Sequence, residues 1–69
     1  VQVNRNGNQL SVSGNNILTI RLYNANGILL QQAPAIDDRA TISLQDTAHG
    51  TYLLQVVTAN QCSTYRLMK

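Results

Sequence analysis

Apolar residues recur at every second position through most of this 69-residue chain, and nowhere at the three- and four-residue spacing of an amphipathic helix. Leu10 and Val12 face one way and Ser11 and Ser13 the other, and Leu18, Ile20 and Leu22 alternate with Thr19, Arg21 and Tyr23. The same rhythm sets Ala40, Ile42 and Leu44 against Thr41, Ser43 and Gln45, and Tyr52, Leu54 and Val56 against their neighbours. Val, Ile, Leu, Thr and Tyr fill these runs, and such side chains fit a pleated, half-buried surface. Each run therefore predicts a strand with one buried face.

Turn residues punctuate the runs. Val1 and Val3 share a face before Asn6-Gly7, a dipeptide suited to a tight hairpin because both residues tolerate positive φ. Further turns are expected at Gly14-Asn15-Asn16, at Asn24-Ala25-Asn26-Gly27 and at Ala59-Asn60-Gln61. Pro34 has no N–H for a ladder, so it ends its strand or lies on an edge, and Ala33 to Arg39 reads as a longer crossing loop. Asp46 to Gly50 turns the chain again, with Asp46 placed to cap a short helical turn. The last strand is expected from about Cys62 to Met68, with Tyr65 and Leu67 inward. The result is an all-β chain of about seven short strands, read as an immunoglobulin-like antiparallel β-sandwich. Leu29, Leu53, Val57 and Met68 point away from that core and suggest a second, partly covered face.

Composition narrows the function classes. Arg5, Arg21, Arg39, Arg66 and Lys69 against Asp37, Asp38 and Asp46 give a formal net charge of +2, too small and scattered for a polyanion-binding field, so no nucleic-acid partner is expected. No stretch approaches the roughly 18 apolar residues of a membrane-spanning helix. The chain opens on Val1 in strand-like sequence, and residues 1–69 are read as one domain, a piece of a longer polypeptide that is either cytosolic or has its export signal elsewhere. A domain this small hides only about 60 % of its unfolded surface, which leaves little room for an active-site cleft and makes an enzyme an unfavoured reading.

The reactive residues do not form a motif. Cys62, the one cysteine, excludes an intrachain disulfide and reads as a small buried hydrophobe at a strand start, while His49 reads as an exposed turn residue. Asp37, Asp38 and Asp46 lack the ligand register of a calcium loop. No catalytic residue, cofactor or metal is assigned. The three tyrosines, Tyr23, Tyr52 and Tyr65, lie on different strands, which leaves an accessory immunoglobulin-like module binding glycan or protein as an alternative reading. Homodimerisation through the partly covered apolar face is a further option.

Three segments carry a resemblance. Ile20-Arg21-Leu22-Tyr23-Asn24-Ala25-Asn26-Gly27-Ile28-Leu29-Leu30 resembles the strand, Asn-rich turn, Gly and apolar strand of the type A C-terminal sorting domains of the type IX (Por) secretion system. Ala40 to Leu44 followed by His49-Gly50-Thr51-Tyr52-Leu53-Leu54-Gln55-Val56 is similar to the same family's later signature, an apolar strand and then Gly, any residue, Tyr and an apolar strand. The end, Tyr65-Arg66-Leu67-Met68-Lys69, is similar to the family's closing strand with its basic residue. The family's opening Pro-Asn-Pro is absent, and Ile28 stands where a polar or basic residue is usual.

The resemblance implies a non-catalytic secretion signal fused behind a cargo protein and recognised by the outer-membrane translocon of a member of the Bacteroidota. It also implies a sortase-like cysteine protease that removes the domain and leaves the cargo secreted or anchored at the cell surface, by way of periplasm and outer membrane. Arg66, Leu67, Met68 and Lys69 are the recognition residues implied, and Asn24, Asn26, Gly27, Gly50 and Tyr52 are the motif positions.

Overall fold

The computed structural model describes residues 1–45 and 47–69 and folds them into seven strands: β1 (Gln2–Asn6), β2 (Gln9–Ser13), β3 (Ile17–Asn24), β4 (Leu29–Pro34), β5 (Arg39–Ser43), β6 (Thr51–Thr58) and β7 (Cys62–Met68). Every pairing is antiparallel, in a three-stranded sheet of order β1-β2-β5 and a four-stranded sheet of order β4-β3-β6-β7. This is the expected immunoglobulin-like sandwich. Relative to the constant-domain arrangement of four strands on three, the fourth strand lies beside the third rather than beside the fifth.

Alternation places the core. Leu10, Val12, Ala40 and Ile42 from the smaller sheet meet Ile17, Ile20, Leu22, Tyr52, Leu54 and Val56 from the larger, and Leu44 closes one end; all are buried. Among the described residues, no buried side chain is polar or charged apart from the Tyr52 hydroxyl, which is hydrogen-bonded. Apolar transfer therefore supplies most of the driving force, without ion pairs in the core.

Five expectations need correction. Leu18 was expected inward, but it is 56 % exposed and Ile17 is buried in its stead. Ile17 pairs with Thr58 and Thr19 with Val57, so Leu18 is the extra residue of a β-bulge, and such an insertion reverses which side chains face the core. Cys62, expected to be buried, is exposed because it lies opposite Val57 and so points to the outer face of the sheet, away from the core. Tyr65 lies opposite inward Leu54 as expected, yet is 37 % exposed, since the smaller sheet does not cover this edge.

The two remaining corrections concern turns. The first hairpin turns on Gly7-Asn8, with Asn6 paired to Gln9, and φ of +63° at Gly7. A single positive φ at the first loop position fits a type II′ turn, whereas the expected Asn6-Gly7 turn needed both of its residues to tolerate positive φ. The crossing after Pro34 is short, because Ile36 and Arg39 exchange both backbone hydrogen bonds (2.8 and 3.1 Å) around Asp37 and Asp38, whose φ values are +53° and +59°. Two consecutive left-handed residues form a type I′ turn, for which Asp is one of the few suitable side chains. The cap expected of Asp46 lies outside the described residues, and no helix occurs among them.

Candidate functional site

The closing segment is the first candidate, and strand geometry divides its residues. Arg66 lies opposite Leu53 and Met68 opposite Thr51 on the outer face, where both are exposed, whereas Leu67 lies opposite Tyr52 and packs against the core. The four expected recognition residues therefore do not form one patch. Lys69 continues on the inward side, and its main chain pairs with Gly50 in both directions, N–H to carbonyl at 2.9 and 3.2 Å. Its ε-ammonium donates to the backbone carbonyls of Leu44 and Thr47. From the opposite sheet, the Arg5 guanidinium donates to the Met68 carbonyl. The end of the chain is thus tied to β1, to the turn after β5 and to the start of β6.

The second candidate is the pair of internal motifs, and the fold brings them together. Asn24 and Tyr52 are directly opposite each other across β3 and β6. The Asn24 side-chain oxygen accepts the N–H groups of Asn26 (2.9 Å) and Ile28 (3.0 Å), and its backbone carbonyl accepts that of Gly27 (3.0 Å). Gly27 itself has φ of +82°, a value that side chains with a Cβ disfavour. Asn26 contributes through its backbone N–H and is otherwise exposed.

Tyr52 sits at the beginning of β6 with its ring in the core, and its hydroxyl donates to the carbonyl of Ala48, four residues upstream. In immunoglobulin-like domains this contact is the tyrosine corner, which fixes the crossover into the sixth strand. Gly50 has φ of +157°, a conformation that residues with a Cβ rarely adopt, and its main chain pairs in both directions with Lys69. An open groove of about 440 Å³ lies at this end, lined by Asn24, Leu30, Gln31, Thr47, Ala48 and Tyr52. Motif residues from three separate stretches of sequence therefore converge on one end of the sandwich, with Tyr52 at the centre.

Leu44, Thr47, Ala48 and Arg5 were not anticipated. Three of them act through backbone carbonyls, which leave no mark on the sequence. A signal for Lys69 did exist, since continuing the alternation of Tyr65 and Leu67 places it inward. The reactive residues stay apart: His49 is exposed beside Gly50, while Cys62 starts β7, about 20 Å along the strand from the pairing of Lys69 with Gly50. Among the described residues, no three His, Cys, Asp or Glu side chains gather as metal ligands would.

These contacts define a small immunoglobulin-like sandwich with a secured β3–β4 turn and a secured last strand, an architecture that assigns no function by itself. The chain belongs to the family of secretion system C-terminal sorting domains, which matches residues 4–69 and serves the type IX system. Members of this family are non-catalytic signal domains, and membership implies export, to the medium or the cell surface. No curated protein and no solved structure matches the chain.

Proposed function

We propose that this domain is a folded address label, without catalytic activity of its own, carried behind a cargo protein of a Gram-negative bacterium of the Bacteroidota. The observation that supports the reading is the state of β7. It is the outermost strand of its sheet, with one side of its main chain unpaired, and yet its end is held by Lys69, Gly50 and Arg5. An exposed but immobilised edge can be bound without the cost of ordering a loose tail. Arg66 and Met68 are the side chains offered to the outer-membrane translocon, and Leu67 and Lys69 hold them in place. After passage from the periplasm, a sortase-like cysteine protease releases the domain and the cargo stays at the cell surface or is secreted. Asn24, Asn26, Gly27, Gly50 and Tyr52 keep the signal folded.

Fusion of residues 1–69 behind a periplasmic reporter, in a host with the type IX system, tests the reading directly. Surface or extracellular reporter is the expected result, with Arg66→Ala/Met68→Ala reducing it. A reporter retained in the periplasm as completely as the unfused control would refute it.

A further inference from the structure

We infer that the outer face of the four-stranded sheet is a protein-docking surface, and that the partner presents carboxylates to it. The inference rests on the sorting reading and adds which face is bound and by what chemistry.

The two outer faces of the sandwich differ in kind. On the three-stranded sheet the outward positions carry amides and hydroxyls, as in the row Asn4, Ser11, Thr41, with Arg39 the one charged residue, at the start of β5. Water satisfies such groups fully. On the four-stranded sheet a single cross-strand row reads Leu29, Tyr23, Leu53, Arg66. Leu29 is 46 % exposed, and Tyr23 and Leu53 are half-buried although no element covers them. Arginine and tyrosine beside apolar groups, with no lysine or acid, is the composition of interface cores rather than of ordinary surface.

The next row is already ordered. The Arg21 guanidinium and the Tyr23 hydroxyl both donate to the Gln55 side-chain oxygen, each at 3.2 Å. Holding these long side chains in place lowers the conformational entropy lost on binding. Charge defines the partner. None of the four strands contains Asp or Glu, and Asp37 and Asp38 lie in the turn that leads to the other sheet. Arg21 and Arg66 stand two strands across and two residues along the sheet from each other, about 12 Å apart, with no acid on the strand between them. Their planar donor forks match carboxylates. Arg39, on the opposite face, follows directly on Asp37 and Asp38 and so has acidic neighbours in sequence.

The test compares export of the reporter fused to residues 1–69 with that of two double variants. Arg21→Glu/Arg66→Glu is expected to lower export by about tenfold or more, as opposed charges do at interfaces. Arg21→Lys/Arg66→Lys keeps the charge but loses the planar fork and is expected to fall between the wild type and the Glu variant, and Ser11→Glu/Thr41→Glu on the other face is expected to match the wild type. Circular dichroism and thermal unfolding of each purified fusion confirm that it is folded. Normal export of the folded Glu variant, or an equal loss from the opposite-face variant, overturns the docking inference while the sorting reading stands. Failure of the wild-type fusion itself overturns the sorting reading and, with it, this inference.

Discussion

The ε-ammonium of Lys69 donates to the backbone carbonyl of Leu44, twenty-five residues upstream, and a second bond to Thr47 makes the lysine a clasp on the turn between β5 and β6. Hydrogen bonds from a charged donor contribute about 1.5–3 kcal/mol each, less where water has access, as it has at this half-buried side chain. Lys69→Met is therefore expected to lower the unfolding free energy by about 1–2 kcal/mol. Urea denaturation measures the change, and a stability equal to wild type would show that the clasp contributes nothing. Removing Met68 and Lys69 together also deletes the pairing with Gly50 and the carbonyl that Arg5 holds, so that truncation is expected to be the less stable of the two.

Tyr52 combines two contributions that separate substitutions can resolve. Tyr52→Phe keeps the ring in the core and removes only the bond to Ala48, for an expected loss of about 1 kcal/mol. Tyr52→Ala also empties the core position opposite Leu67 and Asn24, and about 3–5 kcal/mol is expected by comparison with other aromatic truncations. In a domain of this size the second loss approaches the whole stability. If the two variants unfold at the same denaturant concentration the ring has no packing role, and if Tyr52→Phe is as stable as wild type the corner assignment fails.

How far the sequence revealed this arrangement depends on the range of the contact involved. Strand identity and the inward positions of Leu10, Val12, Ile20, Leu22, Ala40, Ile42, Leu44, Leu54 and Val56 followed from alternation, because one buried face imposes a period of two. The meeting of Asn24 with Tyr52 depends on the register of β3 against β6, which neither segment encodes alone. The same holds for Lys69, whose partners are main-chain carbonyls present at every residue. The outward side of Cys62 was legible, since alternation back from inward Leu67 and Tyr65 places it on the outer face opposite Val57.

The turn between β3 and β4 yields a prediction about backbone conformation. A Cβ at Gly27 would meet no atom within 4 Å, so any cost of Gly27→Ala comes from φ of +82° and not from crowding. A left-handed residue with a side chain costs about 1–2 kcal/mol, and Asn tolerates the region better than Ala. The expected order of stability is wild type, then Gly27→Asn, then Gly27→Ala, as read by thermal unfolding. Asn24→Ala, which leaves the N–H groups of Asn26 and Ile28 without their acceptor, is expected to cost about 1 kcal/mol. An Ala variant at Gly27 as stable as wild type would mean that the turn relaxes to another conformation.

The bulge in β3 makes the sharpest distinction between alternation in sequence and position in the fold, because it exchanges the roles of two adjacent residues. Unbroken alternation back from Ile20 buries Leu18 and exposes Ile17, whereas the paired strands leave Leu18 56 % exposed and Ile17 only 5 % exposed. Truncating a buried Ile to Ala costs about 2–4 kcal/mol, and substitution at an exposed site away from special contacts stays within about 0.5 kcal/mol. Ile17→Ala is therefore expected to destabilise the domain severely and Leu18→Ala hardly at all. Backbone bonds do not confound the comparison, since the Leu18 carbonyl that accepts the N–H of Ala35 at 3.0 Å is retained in the Ala variant. Chemical denaturation of the two variants side by side decides the matter. The reverse order, with Leu18→Ala the more damaging, would place the extra residue elsewhere in the strand and restore the uninterrupted alternation.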